Sequence, residues 1–199
     1  MTRYSPTEEP RVKQKGCKTD LSDMEQLVLD KHNEYRARHQ DTPPLCYAEI
    51  TGDDVEFMAQ EWADHVGETG KFKHTPNPKV YGENMAWSSF RGEDPDPAPF
   101  YTSGMERWYS EIRNWDFNLS KGSMTTHFTQ IVWQSSTMLN CGFSTSETLR
   151  RAYVVCQYWP KGNLGSEYPV KVLPLIGFEP EGKLDFYLQI INILLLLSN

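Results

Sequence analysis

Four stretches of the chain place apolar residues at helical spacing, and one stretch alternates them as a strand does. In SDMEQLVLDKHNEYRARHQ, Ser22 followed by Glu25 makes a capping box, and Leu27, Val28 and Tyr35 form the apolar stripe of a first helix that ends before Pro43 and Pro44. In GDDVEFMAQEWADHVGETG, Val55, Met58, Ala59, Trp62, Ala63 and Val66 mark a second helix, with acids in its first turn and Gly67 or Gly70 as its stop. A third runs through SGMERWYSEIRNW with Met105, Trp108 and Ile112 facing inward. The fourth lies in TTHFTQIVWQSS, where Thr125 or Thr126 caps a helix that has His127 in its first turn.

NCGFSTS and RRAYVVCQYW then read as two strands about a turn at Glu147 to Arg150, with Ala152, Val154 and Cys156 on one face and Tyr153 and Val155 on the other. Between the second and third helices, KFKHTPNPKVYGENMAWSSF is broken by Pro76, Pro78 and Gly82 and reads as loop with a short strand. DPDPAPF reads as an exposed connection. Residues 1–20 are polar and read as a flexible arm, 21–175 as one domain, and 176–199 as an apolar tail. The order of elements predicts an α/β fold in which helices cover a small antiparallel sheet.

At 199 residues, with 6 Trp, 10 Tyr and 9 Phe, the chain suffices for one globular core. A formal charge of -7 excludes a polyanion as partner, so no nucleic acid is expected. The first twenty residues hold no apolar run of signal-peptide length, which points to an intracellular or peripheral-membrane protein, or to a start that is not the natural one. The run from Phe186 to Leu197 is apolar but short of the roughly 20 residues a spanning helix needs. Its two readings are packing on the domain and contact with a membrane surface.

Of the four cysteines, Cys141 and Cys156 are equidistant from the apex of the predicted hairpin. Directly opposed residues come within disulfide range, so a Cys141–Cys156 bridge is expected, against the alternative of two small buried thiols. No pairing follows for Cys17 and Cys46. Asn118 in NLS is a candidate glycosylation site.

Glu111 sits three residues after Trp108 and just before Ile112, close to a buried stripe, where a carboxylate needs a partner. His127 is such a partner, held neutral at a helix start and able to bind a metal. His74 in KHTP and Glu83 in YGENMAW lie in the loop-rich middle, where bends can aim them inward. Two His and two Glu suit Zn2+ or another divalent cation, or an acid/base pair acting on a bound water. His32, His39 and His65 have charged neighbours and read as solvated residues.

Together HFTQIVW, YVVCQYWPKGNL, HNEYR, KHTP, GEN and RWYSEI resemble, in order and approximate spacing, the motifs of the CAP superfamily of cysteine-rich secretory, antigen 5 and pathogenesis-related group-1 proteins, also called SCP domains. The similarity covers about residues 22 to 175 and is nearest the Golgi-associated plant pathogenesis-related type. It implies an α-β-α sandwich with a small, mainly antiparallel sheet between helix layers. It also implies a cavity tetrad of His74, Glu83, Glu111 and His127, in which the two histidines bind the cation and the glutamates help hold it. Family members bind sterols, fatty acids or anionic phospholipids, so the expected partner is a lipid or sterol, with a membrane surface and a second copy in a homodimer as further candidates. Thr126 departs from the Gly or charged residue usual there, and the chain carries fewer cysteines than secreted members.

The function expected is lipid binding with a His/Glu cation site in a central cleft and no turnover. The alternatives are a metal-assisted, protease-like hydrolase using Glu83 or Glu111, and a membrane-associated scaffold or signalling partner. The hydrolase has no H-E-x-x-H or G-x-S-x-G motif to support it.

Overall fold

Residues 16–49, 58–76 and 81–178 are described in the computed structural model. The first helix, α1, spans Asp23–Arg36, and its capping box forms as the sequence predicts: Glu25 N donates to Ser22 Oγ and Ser22 N to Glu25 Oε2. Helix α2 runs Ala59–Thr69 and ends on Gly70 at φ 65°, a left-handed cap that suits glycine. Gly67 is not the stop. It lies inside the helix, where a Cβ would collide with Ser144 Oγ and Thr145 O, so its absence lets α2 lie close on the sheet. The acid-rich start expected for this helix, with Val55, lies outside the described residues, as do residues 1–15 and the tail beyond Phe178.

Helix α3 spans Pro97–Ser110 and corrects the reading of DPDPAPF as a connection. Asp96 caps Ala98 N, and Pro97 falls in the first turn, where its missing N–H costs nothing. The helix gives way to a 3-10 turn at Glu111–Asn114. Helix α4 is six residues, Thr126–Ile131, and a short α5 covers Tyr168–Lys171.

The main sheet is built from β1 (Cys46–Tyr47), β2 (Gly82–Ser89), β5 (Met138–Ser146) and β6 (Arg151–Trp159) in the order β1-β5-β6-β2. Only β1 and β5 are parallel. A separate hairpin pairs β3 (Trp115–Asp116) with β4 (Lys121–Gly122). Strand β2 has eight residues and is longer than the sequence suggests, because a partner strand overrides its weak local pattern. Ala59, Ala63 and Val66 of α2 pack on Met85, Tyr153 and Val155, covering one face. Val28 and Tyr35 of α1, Met105 and Trp108 of α3, and Phe128 and Ile131 of α4 cover the other. The molecule is therefore an α-β-α sandwich around a small, mainly antiparallel sheet.

The hairpin forms in the expected register, with Cys141 opposite Cys156 and a disulfide between them. A second disulfide, Cys17–Cys46, was not legible, because nothing in the local pattern brings these residues together. It corrects the reading of a flexible arm for residues 16–20; residues 1–15 lie outside the described residues. From Gly16 the chain is tied down: Cys17 pairs with Ala48, Lys18 N donates to Tyr47 O, and Lys18 Nζ donates to Glu25. At the other end Ile176 N donates to Arg38 O, and Phe178 packs against Phe117.

His65 is exposed as expected, but His32 and His39 are not solvated: they are 0% and 2% exposed. His32 is held between Val28 O and Tyr158 Oη, and His39 between Leu173 O and Tyr109 Oη. Burial first, against the hydrogen bond to Val28 O, pushes the His32 imidazole down to about 4 from 6.5. Because the folded state holds this proton less tightly than the unfolded one, stability is fully present above pH 6.5 and is lost as pH falls toward 4. His32→Gln, which cannot titrate, should abolish a loss of about 2 kcal/mol between pH 7 and pH 5. Urea unfolding of both proteins at the two pH values measures it.

Candidate functional site

Helix α4 begins without a cap of its own, since Thr125 makes no side-chain capping bond. Its orphan N–H groups are met by Glu111, at the junction of α3 and the 3-10 turn. Glu111 Oε2 accepts from His127 N at 3.0 Å and Phe128 N at 3.2 Å, while Oε1 lies 2.7 Å from His127 Nδ1. The expectation of a threonine cap is thereby corrected: a carboxylate from another element caps the helix and also orients the ring. The imidazole stacks on Trp108 with centroids 6.1 Å apart, and Trp108 Nε1 donates to Met85 O on β2.

A second pair joins Glu83, the second residue of β2, to His74 in the loop that precedes the strand. Glu83 Oε1 is 2.7 Å from His74 Nδ1 and accepts from Thr75 N, while Oε2 accepts from Gln157 Nε2 at 2.9 Å and from Thr75 Oγ1. Gln157 stands opposite Glu83 in the sheet, and its Oε1 accepts from Met58 N at the start of α2. The Glu83 carboxylate is 2% exposed, whereas His74 is 60% exposed. Burial pushes the Glu83 carboxyl up, but the bonds from His74, Thr75 and Gln157 outweigh it and leave it below its ordinary value. The hydrogen bond to Glu83, opposed by burial, raises the His74 imidazole.

The four residues singled out in the sequence thus form two His–Glu dyads. Adjacent residues of β2 connect them: Glu83 binds His74, and Asn84 Nδ2 donates to His127 O at 3.0 Å and to Tyr158 Oη at 3.2 Å. A hollow of about 260 Å3 lies along the open edge of β2 beside the Glu111–His127 dyad. Glu111 and His127 line it, together with Met85, Trp87, Arg107 and Trp108, whereas His74 and Glu83 are not among its lining residues. In both dyads the carboxylate takes Nδ1, so Nε2 is the nitrogen left for a ligand. Among the described residues no group of three or more His, Cys, Asp or Glu is assembled to hold a metal ion.

Sequence reasoning missed Thr75, Asn84 and Gln157. The available signal was the register of the hairpin's second strand, which carries a polar Gln157 into an otherwise apolar run. Asn118, the glycosylation candidate, is exposed in the turn between β3 and β4.

The sequence and the fold both have relatives among known proteins. A model of CAP, the Cysteine-rich secretory protein family, matches residues 29–158. The chain belongs to the CAP family. Golgi-associated plant pathogenesis-related protein 1 of Homo sapiens is 34% identical over 152 residues, 74% of this chain and 90% of that protein. Protein PRY2 of Saccharomyces cerevisiae is 30% identical over 155 residues, 77% of this chain, and the match spans only 42% of that longer protein. Among solved structures, NaASP2 with Zn2+ covers 75% of this CAP chain and 86% of its own at 24% identity and a TM-score of 0.55. MpPR-1i covers 77% and 99% at 16% identity and 0.52. At these identities the structures speak for the fold.

The capping role of Glu111 is open to test. Glu111→Ala removes three hydrogen bonds to one carboxylate and should cost about 2 kcal/mol in urea unfolding, while Thr125→Val should stay within about 0.5 kcal/mol. A larger cost for Thr125→Val would return the cap to the threonine.

Proposed function

We propose that this CAP domain binds a lipid, a sterol, fatty acid or anionic phospholipid, in the cleft beside His127 and holds a divalent cation with His74 and His127, without turnover. The observation that carries the reading is the common orientation of the dyads: each glutamate fixes its imidazole through Nδ1 and leaves Nε2 as a ligand nitrogen. Two imidazoles fit an open, exchangeable site completed by water and do not make a closed structural zinc site. The glutamates orient the rings and are not needed as ligands. When bound, the cation supplies a Lewis-acidic positive charge. A related structure that holds Zn2+ supports the cation. The lipid is supported by an apolar wall of Phe72, Met85 and Trp108 next to a polar end at Glu111 and His127.

The side chains around the dyads offer no nucleophile for covalent catalysis. All four cysteines are in disulfides, and among the described residues no serine or threonine hydroxyl hydrogen-bonds to His74 or His127. No helix among the described residues is long and apolar enough to cross a membrane.

Titration calorimetry should show zinc binding by the wild type and none by the His74→Ala, His127→Ala double variant. Equal affinity would refute the cation site. The wild type should extract at least one of labelled cholesterol, palmitate or phosphatidylserine from liposomes, and cleave nothing in a peptide library. Cleavage that disappears in Glu111→Ala would instead establish the hydrolase.

A further inference from the structure

Strand β1 stops at Tyr47, opposite Leu139, while β5 runs on to Ser146 with no strand beside that edge. Side chains take the place of the missing strand. The Tyr47 hydroxyl donates to Cys141 O at 3.1 Å and accepts from Cys141 N at 3.0 Å, and Gln60 on α2 accepts from Phe143 N at 3.1 Å and donates to Phe143 O at 2.8 Å. A cavity of about 490 Å3 lies against this edge and shares no lining residue with the hollow along β2. Tyr47 and Gln60 line it with their polar groups already engaged. Two further polar groups of the lining are not. Asn140 is 5% exposed and its Oδ1 has no hydrogen-bond partner. Tyr101 is 4% exposed, and among the described residues its hydroxyl makes no hydrogen bond. Burial pushes that hydroxyl well above its ordinary pKa, so it keeps its proton and is a donor. Glu25 is the carboxylate of the lining, and it is held by Lys18 Nζ at 2.8 and 2.6 Å and by Ser22 N at 2.8 Å.

We infer that this cavity is a binding site for a neutral amide carried on a flat apolar group, whose N–H donates to Asn140 Oδ1 and whose carbonyl accepts from the Tyr101 hydroxyl. The site is separate from the dyads and does not depend on the cation or the lipid proposed there. An amide supplies a donor and an acceptor on neighbouring atoms, so one ligand group meets both orphaned partners. Met24, Val28, Pro97 and Phe143 give the remainder of the ligand an apolar wall, and the Tyr101 ring, 6.0 Å from that of Phe143, offers it an aromatic face. Other classes fit less well. An alkyl chain would leave the Asn140 oxygen and the Tyr101 hydroxyl buried and unpaired. A carboxylate brings no donor for Asn140 and meets Glu25, while an ammonium brings no acceptor for Tyr101.

Benzamide, methyl benzoate and benzoate share one ring and differ in the group that matters: donor with acceptor, acceptor alone, and charged acceptor. Each is titrated into the full chain and followed by calorimetry and saturation-transfer NMR. The wild type should bind benzamide about tenfold more tightly than either of the others, the worth of one buried hydrogen bond that they leave unmade. Asn140→Leu should bind benzamide and methyl benzoate equally. Tyr101→Phe should weaken both by a similar factor and keep their ratio, because both carbonyls accept from the hydroxyl. Since Asn140 Oδ1 has no partner to lose, Asn140→Leu should also leave the urea midpoint of the ligand-free protein unchanged or raised. Zinc titration of both variants should match the wild type. No binding of benzamide, equal binding of benzamide and methyl benzoate by the wild type, a preference kept in Asn140→Leu, or a lowered urea midpoint in that variant would each overturn the inference. A preference lost together with zinc affinity would trace to the dyads and overturn it too.

Discussion

Strand β6 is paired along both edges, to β5 and β2, and covered on both faces. Its residues Tyr153, Val155, Cys156, Gln157 and Tyr158 are all 0% exposed. A strand so enclosed must satisfy its polar groups internally, because an unpaired buried donor or acceptor costs about 1–3 kcal/mol, and among the described residues the Tyr153 hydroxyl is an exception with no hydrogen-bond partner. The two polar side chains that face inward near its end do this by binding the functional region. Gln157 joins α2 to Glu83, and the Tyr158 hydroxyl sits among His32 and Asn84. The same requirement that closes the core thus places Glu83 and, through Asn84, the carbonyl of His127.

Helix α4 shows how much of the site is borrowed. Six residues are too few to hold a helix by local propensity, and this one has no side-chain cap. Glu111 fills the gap because α3 ends beside it, and α3 can end there because its own start is fixed by Asp96 and Pro97. Arg36 secures the other end. It is fully buried and donates to the carbonyls of Ile131, Trp133 and Ser136, with no carboxylate partner among the described residues. Burial pulls its pKa down to about 10, still far above neutrality, so the guanidinium remains a cation at the negative end of α4. His127 is therefore held by groups at both ends of its helix and by Asn84 at its own carbonyl.

The legible parts of the sequence are those in which a local pattern and a tertiary contact agree. Ser22 and Glu25 cap α1 as their spacing says, and the apex of the hairpin sets Cys141 against Cys156. Where a tertiary contact overrides the pattern, reading failed: DPDPAPF looks like loop until Asp96 is seen as a cap, and Cys17 meets Cys46 only because the N-terminal segment pairs with Ala48. Charged neighbours made His32 and His39 look solvated, yet each ring finds a carbonyl and a tyrosine hydroxyl, which is enough to bury it. Two of the four site residues, Glu111 and His127, were related by helix geometry. His74 and Glu83 were named for residue type and motif, because a loop gives no period from which to argue.

The two dyads have the same chemistry in opposite settings, and this separates their tasks. Glu83 is buried and saturated with donors, so its charge is committed to the fold, and His74 is the exposed member. A raised imidazole contributes stability below pH 6.5 and loses it as pH rises through its folded value, and a lowered carboxyl contributes above pH 4.5 and loses it as pH falls through its own. The His74–Glu83 pair is accordingly strongest as an ion pair between those limits. Above the raised folded value of His74 the ring is neutral, still held through Nδ1, with Nε2 left as the acceptor nitrogen. At the other dyad the exposures are closer, 33% for His127 and 20% for Glu111, and the carboxylate holds backbone as well as ring. The carboxylate that orients that imidazole therefore also caps α4. One histidine stands at the wall of the hollow and the other is held by Glu83 outside it, the arrangement on which the proposed cation site rests.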